Sequence, residues 1–220
     1  MEEPILLFGH WICPYSVRVE FALVELGLPY RLIEVPPTAA RPKGFVVPEE
    51  FLEHSPRHEI PMIRDSAGYL ADSLPILERL FGSVGRLGAG TARLAHELDQ
   101  MFFGPMVGIY YGLDPSSISL AVDRLDRAFG ALETMLGDAD WLSGELPSMA
   151  EAAYVPVIAR LEGLRRLGFD RELPPAVEDH RRRCMELPGG LAVRWTSEQI
   201  EEFVWRFTTF RERRAASSKD

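Results

Sequence analysis

Apolar positions change their period several times along this chain. Ile5 to Gly9, ILLFG, is a short unbroken apolar run, the pattern of a buried strand. From residue 13 to 27 the period becomes helical. Val17, Phe21, Val24 and Leu28 share one face, and Val19, Leu23 and Leu26 gather on roughly the opposite one. Two apolar stripes predict a helix packed on both sides, one stripe on the sheet of its own domain and the other on a different part of the chain. Pro14 suits the first turn and Gly27 the stop. Tyr30 to Val35 reads as a second strand, and PEEFLEH as a short helix with Pro48 in its first turn. IPMIRDSAGYLAD reads as two short strands around a Ser66–Ala67–Gly68 turn, and SLPILERLF starts a helix at Ser73. The predicted order is β-α-β-α-β-β-α over residues 1–82.

Residues 83–90 read as a linker. The glycines of GSVGRLGAG superficially match a phosphate-binding loop, but the segment follows a helix, and no Lys–Ser/Thr closes it. Residues 91–214 are helical in pattern. RLAHELDQMFFGPMVGIYY carries Gly104–Pro105, where a kink or break is expected. Ile118, Val122, Leu125, Phe129, Leu132 and Leu136 recur at spacings of four and three, which is one helix face. Ser148 and Glu151 have capping-box spacing at the start of a further helix. Helices are also expected over 175–187 and 197–213, and residues 215–220 as a flexible polar tail. RFTTFRERR reads as a solvated helix end. The fold class is therefore α/β followed by all-α.

Composition removes several function classes. The chain has 220 residues, 46% hydrophobic, with a formal charge of −9 and a pI near 5.2. An acidic chain repels phosphate backbones, so no nucleic-acid partner is expected. No apolar run approaches the ~18 residues of a membrane span, and the N-terminus MEEPILLFGH is acidic, so no membrane partner and a cytoplasmic location are expected. His54 and His58 straddle Pro56, and no C-x-x-C or H-E-x-x-H occurs, so no metal site is expected.

Cys13 and Cys184 are the two cysteines. Cys184 carries no signal beyond packing. Cys13 stands just before Pro14, at a strand-to-helix turn. There, unpaired backbone N–H groups and the helix dipole favour the thiolate, which is the nucleophilic form. His10 is a possible helper across the turn.

CPYSVRVEFALVELGLPY, HEIPMI, ADSLPILERL and LPSMAEAAYVPVIARL, in that order, span most of the chain. Together they resemble the glutathione transferase superfamily, specifically its cysteine-type, omega-like and beta-like members, with a glutaredoxin-like CPYS motif. The resemblance implies a thioredoxin-like N-terminal domain, an all-helical C-terminal domain, glutathione as co-substrate and a homodimer. It implies that Cys13 forms a mixed disulfide with glutathione, and that Pro61 is a cis-proline. The backbone of Ile60 would then bond the cysteinyl unit, and Asp72–Ser73 would hold the γ-glutamyl end. Val47 stands where omega-like members often carry a lysine for the glycine carboxylate, and Arg57 and His58 are either replacement cations or solvated side chains. Ser16 is expected near the sulfur, and Trp11, Tyr15, Phe102, Phe103, Met106, Tyr110 and Tyr111 as core or acceptor-site lining. The implied activity is thiol transfer or glutathione-dependent reduction of a small electrophilic or disulfide substrate, with conjugation also open. A non-catalytic interaction module on the same fold is the alternative.

Overall fold

The computed structural model describes residues 3–217. Strand β1 (Ile5–Gly9) is followed by helix α1 (Pro14–Glu25), strand β2 (Tyr30–Glu34) and helix α2 (Glu49–His54). Strands β3 (Met62–Asp65) and β4 (Gly68–Ala71) form a hairpin that leads into α3 (Ser73–Ser83). The four strands lie in the order β2-β1-β3-β4. β1 runs parallel to β2, so the chain needs a crossover, and α1 supplies it. β3 is antiparallel to β1 and to β4.

Alternation along the strands divides the sheet's side chains between two cores. Leu7 and Ile63 join the larger one, with α1, α3 and the helical half. Leu6, Phe8 and Met62 face the other way, against Phe51 of α2, Val35 and Val47. α1 packs on α3, and also on helices of the second half, α6 (Met149–Ala159) and α9 (Pro188–Ala192). α1 thus packs on elements of both halves, as a helix apolar on two sides is expected to. Its C-terminus closes with a Schellman arrangement: Gly27, at φ 65°, and Leu28 donate to the Val24 and Leu23 carbonyls.

The second half continues with α4 (Thr91–Tyr111), α5 (Pro115–Leu136), α6, α7 (Leu161–Arg166), α8 (Pro175–Glu186), α9 and α10 (Ser197–Ser217). Of the kink or break expected at Gly104–Pro105, the break does not occur; α4 is continuous with Pro105 inside it. An interior proline costs about 3 kcal/mol. Phe102, Phe103, Met106, Ile109 and Tyr110 flank it and are all buried, which offsets that cost. α6 starts with the expected capping box: Ser148 accepts from the Ala150 N–H, while Glu151 accepts from the Ser148 N–H. α10 is longer than expected. It carries helix through residues 215–217, assigned above to the tail; residues 218–220 lie outside the described residues. Among the described residues, no helix is long and apolar enough to cross a membrane.

Candidate active site

Cys13 is the N-cap of α1, with Pro14 as the first helical residue. Its carbonyl accepts from the Ser16 and Val17 N–H groups, and its own N–H donates to the His10 carbonyl. His10 organises this turn without reaching the sulfur: its Nδ1 accepts from the Ile12 N–H, and its Nε2 lies 3.5 Å from Glu34. Burial pushes the His10 imidazole below its ordinary value. The Ser16 hydroxyl, expected beside the sulfur, is buried against Gly9 of β1 and has no hydrogen-bond partner among the described residues.

The Cys13 sulfur lies 3.8 Å from the Ile60 carbonyl oxygen, and the Ile60–Pro61 peptide is cis. Asp72 caps α3 at φ 70°, a conformation a non-glycine residue adopts at a cost of order 1–3 kcal/mol. Its carboxylate is held by Arg57, which also bonds Glu59. Arg57 therefore spends its charge on two acids. Ser73, the first residue of α3, is buried against the same space. Val47 packs with the second core beside Phe51 and Val35, an apolar duty that a lysine would not meet.

Cys13, Ile60, Pro61, Asp72 and Ser73 line one cavity of about 1000 Å³ between the sheet half and the helical half. Of the aromatic residues proposed from sequence, Tyr15, Tyr110 and Tyr111 line it. Phe102, Phe103 and Met106 are buried core, and Trp11 packs edge-on against Trp195. The opposite wall belongs to α10, of which the stretch RFTTFRERR was read as a solvated helix end: Phe203, Phe207 and Phe210 recur at spacings of four and three and line the cavity. Phe207 packs on Tyr110 and Tyr111 at ring distances of 4.5 and 5.0 Å. The four-three recurrence was the available signal; the adjoining arginines obscured it. Arg206 ties this helix to the loop after β2 through the Ala40 carbonyl. On that loop Arg41 lines the cavity, bonds the Pro36 carbonyl, and has no carboxylate partner among the described residues.

Two buried arginines flank the Cys13 turn. Arg18 of α1 donates to Asp99 of α4 at 2.5 Å and lies over the Phe103 ring at 4.3 Å. Arg160, between α6 and α7, donates to the Pro156 and Ile12 carbonyls, each at 2.8 Å, and lies over the Trp195 ring. Burial lowers the Arg160 guanidinium to about 10, against the opposing pull of Tyr110 and Cys13, so it stays charged at neutral pH. Burial raises Tyr15, Tyr110 and Tyr111, so all three phenols stay neutral. Cys184 is fully buried beside His180, and burial pushes its thiol far up. Among the described residues no group of His, Cys, Asp and Glu is suited to hold a metal ion.

A family model described as glutathione S-transferase, N-terminal domain, matches residues 12–80, and one described as glutathione S-transferase, C-terminal domain, matches residues 69–183. Glutathione S-transferase-like protein tpcF of Aspergillus fumigatus is 29% identical over 216 residues, covering 85% of this chain and 93% of that protein. Glutathione S-transferase U26 of Arabidopsis thaliana is 22% identical, covering 92% of this chain and 94% of that protein. A rice glutathione transferase solved with glutathione superposes with a TM-score of 0.80 at 19% identity, covering 95% of this chain and 100% of that one.

Proposed function

The chain belongs to the glutathione S-transferase family, and on that premise we propose that it is a glutathione-dependent thiol transferase with Cys13 as its nucleophile. One observation carries this reading: the thiol sits at a helix N-terminus on the wall of the inter-domain cavity. That setting favours the thiolate and gives it a substrate space. In the first step the Cys13 thiolate attacks the glutathionyl sulfur of a mixed disulfide, GS–SR. A Cys13–SG bond forms, the S–S bond breaks, and RS⁻ leaves. In the second step the thiolate of another glutathione attacks Cys13–SG, releasing oxidised glutathione and restoring Cys13. Cys184 is too deeply buried to resolve the intermediate, so the route is monothiol.

Glutathione would bind with its γ-glutamyl carboxylate at the N–H groups and hydroxyl that open α3 at Ser73, and its ammonium toward Asp72. The Ile60 backbone before Pro61 would meet the cysteinyl unit. With Val47 apolar and Arg57 engaged by acids, Arg41 is the cavity cation offered to the glycine carboxylate. The aromatic wall of α4 and α10 suits an apolar acceptor. Replacing Cys13 by Ser should abolish glutathione-dependent reduction of a small mixed disulfide; full retained activity would falsify the assignment.

The Arg57–Asp72 pair occupies the carboxylate that would meet the glutathione ammonium and so favours a second reading, an interaction module that does not bind glutathione. Titration calorimetry separates the two: heat from reduced glutathione supports the transferase, and its absence supports the module.

A further inference from the structure

We propose that Arg160 is a positioning residue for catalysis, the buried counter-charge that holds Cys13 as a thiolate. The inference rests on the reading of Cys13 as the nucleophile. It starts from a group that the fold alone does not account for. Arg160 is fully buried, its Nε has no hydrogen-bond partner, and no carboxylate lies within ion-pair distance of it among the described residues. A buried cation is unfavourable unless an anion compensates it. Its two bonded partners are neutral carbonyls, and one of them, Ile12, belongs to the peptide group that carries the Cys13 N–H. The guanidinium therefore stands directly behind the Cys13 turn. It is clamped there by Trp195 and lies outside the residues that line the cavity. It acts through its field, not through contact with substrate.

As the C-cap of α6, Arg160 meets the helix's terminal carbonyls through Pro156, but no carboxylate pairs with it among the described residues. On α1, Arg18 lines the same cavity as Cys13, but Asp99 of α4 neutralises it at 2.5 Å. Tyr15, Tyr110 and Tyr111 line the cavity with Cys13 and are neutral phenols. Of the nearby acids, Glu59 is spent on Arg57, and Glu34 lies against His10. An anion formed at Cys13 is thus the charge available to pair with Arg160. The helix N-terminus adds to this field but is common to any such turn; the arginine is a feature of this chain, reached from a residue 148 positions away.

The test measures alkylation of Cys13 by iodoacetamide as a function of pH, mapped by mass spectrometry, in the full-length parent, R160M and R160K. Met keeps most of the length and loses the charge; Lys keeps the charge and loses the fork. In the parent the half-maximal pH should fall below the ~8.5 of free cysteine. In R160M it should rise by about one unit, a tenfold loss of thiolate well below the midpoint, while R160K stays within about a third of that shift. A structural role alone would change the rate at all pH values without moving the midpoint. A folded R160M with the parental midpoint overturns the proposal. If R160M does not fold, the parent and R160K decide it: a parental midpoint at or above ~8.5, or an R160K midpoint raised by the full unit, overturns it. Cys13 that stays unlabelled at every pH sinks the nucleophile reading and this inference together. A labelled Cys13 with no shift in R160M sinks the inference alone.

Discussion

Asp99→Ala isolates the charge that joins the two halves of the molecule. Arg18 is fully buried, and its Nη2 bond to Asp99 is the one hydrogen bond its side chain makes among the described residues; Nε and Nη1 have none. Removing one partner of a buried pair costs about 3–5 kcal/mol, because the remaining charge is left unpaired. Two features place this case at the lower end. Asp99 is 25% exposed at its side chain, so water can enter the vacated space, and Arg18 keeps its position over the Phe103 and Tyr15 rings, at 4.3 and 5.0 Å. The expected loss is about 3 kcal/mol, or roughly 6–12 °C in melting temperature for a chain of this size. Scanning calorimetry of D99A, R18M and R18M/D99A reads it. Met fits the aromatic slot without a charge, so the double variant should lie within about 1 kcal/mol of the parent, giving a coupling of about 2–3 kcal/mol. A D99A loss below about 1 kcal/mol would refute the idea that this pair is a buried charge in need of its partner.

The capping box of α6 gives two further expectations. Ser148→Ala removes the bond from the Ala150 N–H and a 2.7 Å bond to the buried Glu151 carboxylate. A lost cap costs about 1 kcal/mol and a lost bond to a charged group about 1.5–3, so denaturant unfolding should show a loss of roughly 2–4 kcal/mol; a loss under about 1 would contradict the geometry. Burial pushes the Glu151 carboxyl up, but bonds from His180, the Leu142 N–H and Ser148 outweigh it and leave the group below its ordinary 4.5. A depressed carboxyl contributes stability above 4.5 that is lost as pH falls through its folded value. The parent should therefore melt progressively lower below about pH 4.5, with a shallower fall in E151Q; identical slopes would count against it.

Local pattern carried much of the first half. ILLFG became β1 with the expected bounds, because an unbroken apolar run of that length suits a strand covered on both faces. The double stripe of α1 foretold its two packing partners, and Ser148–Glu151 its cap, because each is a short-range signal. Arg18–Asp99 spans 81 positions and Arg160–Ile12 spans 148, and nothing in sequence pattern pairs residues at such distances. Arg57 looked like a free cation because its partner Asp72 lies 15 residues away across the β3–β4 hairpin. The wall of α10 was misread for a related reason. Its Phe203–Phe207–Phe210 face is interleaved with arginines, and only the packing of Tyr110 and Tyr111 against it reveals which face is inside. Proline chemistry alone would break α4, and the buried flanks of Pro105 hold it together.

The central claim is that Cys13 is the thiol that exchanges with glutathione. Intact-mass analysis after exposure to oxidised glutathione, followed by peptide mapping, addresses it directly. The account predicts one glutathionyl adduct per chain, on Cys13, removed by reduced glutathione and absent in C13S. Modification on Cys184 alone, or an unmodified Cys13 at saturating disulfide, would contradict it.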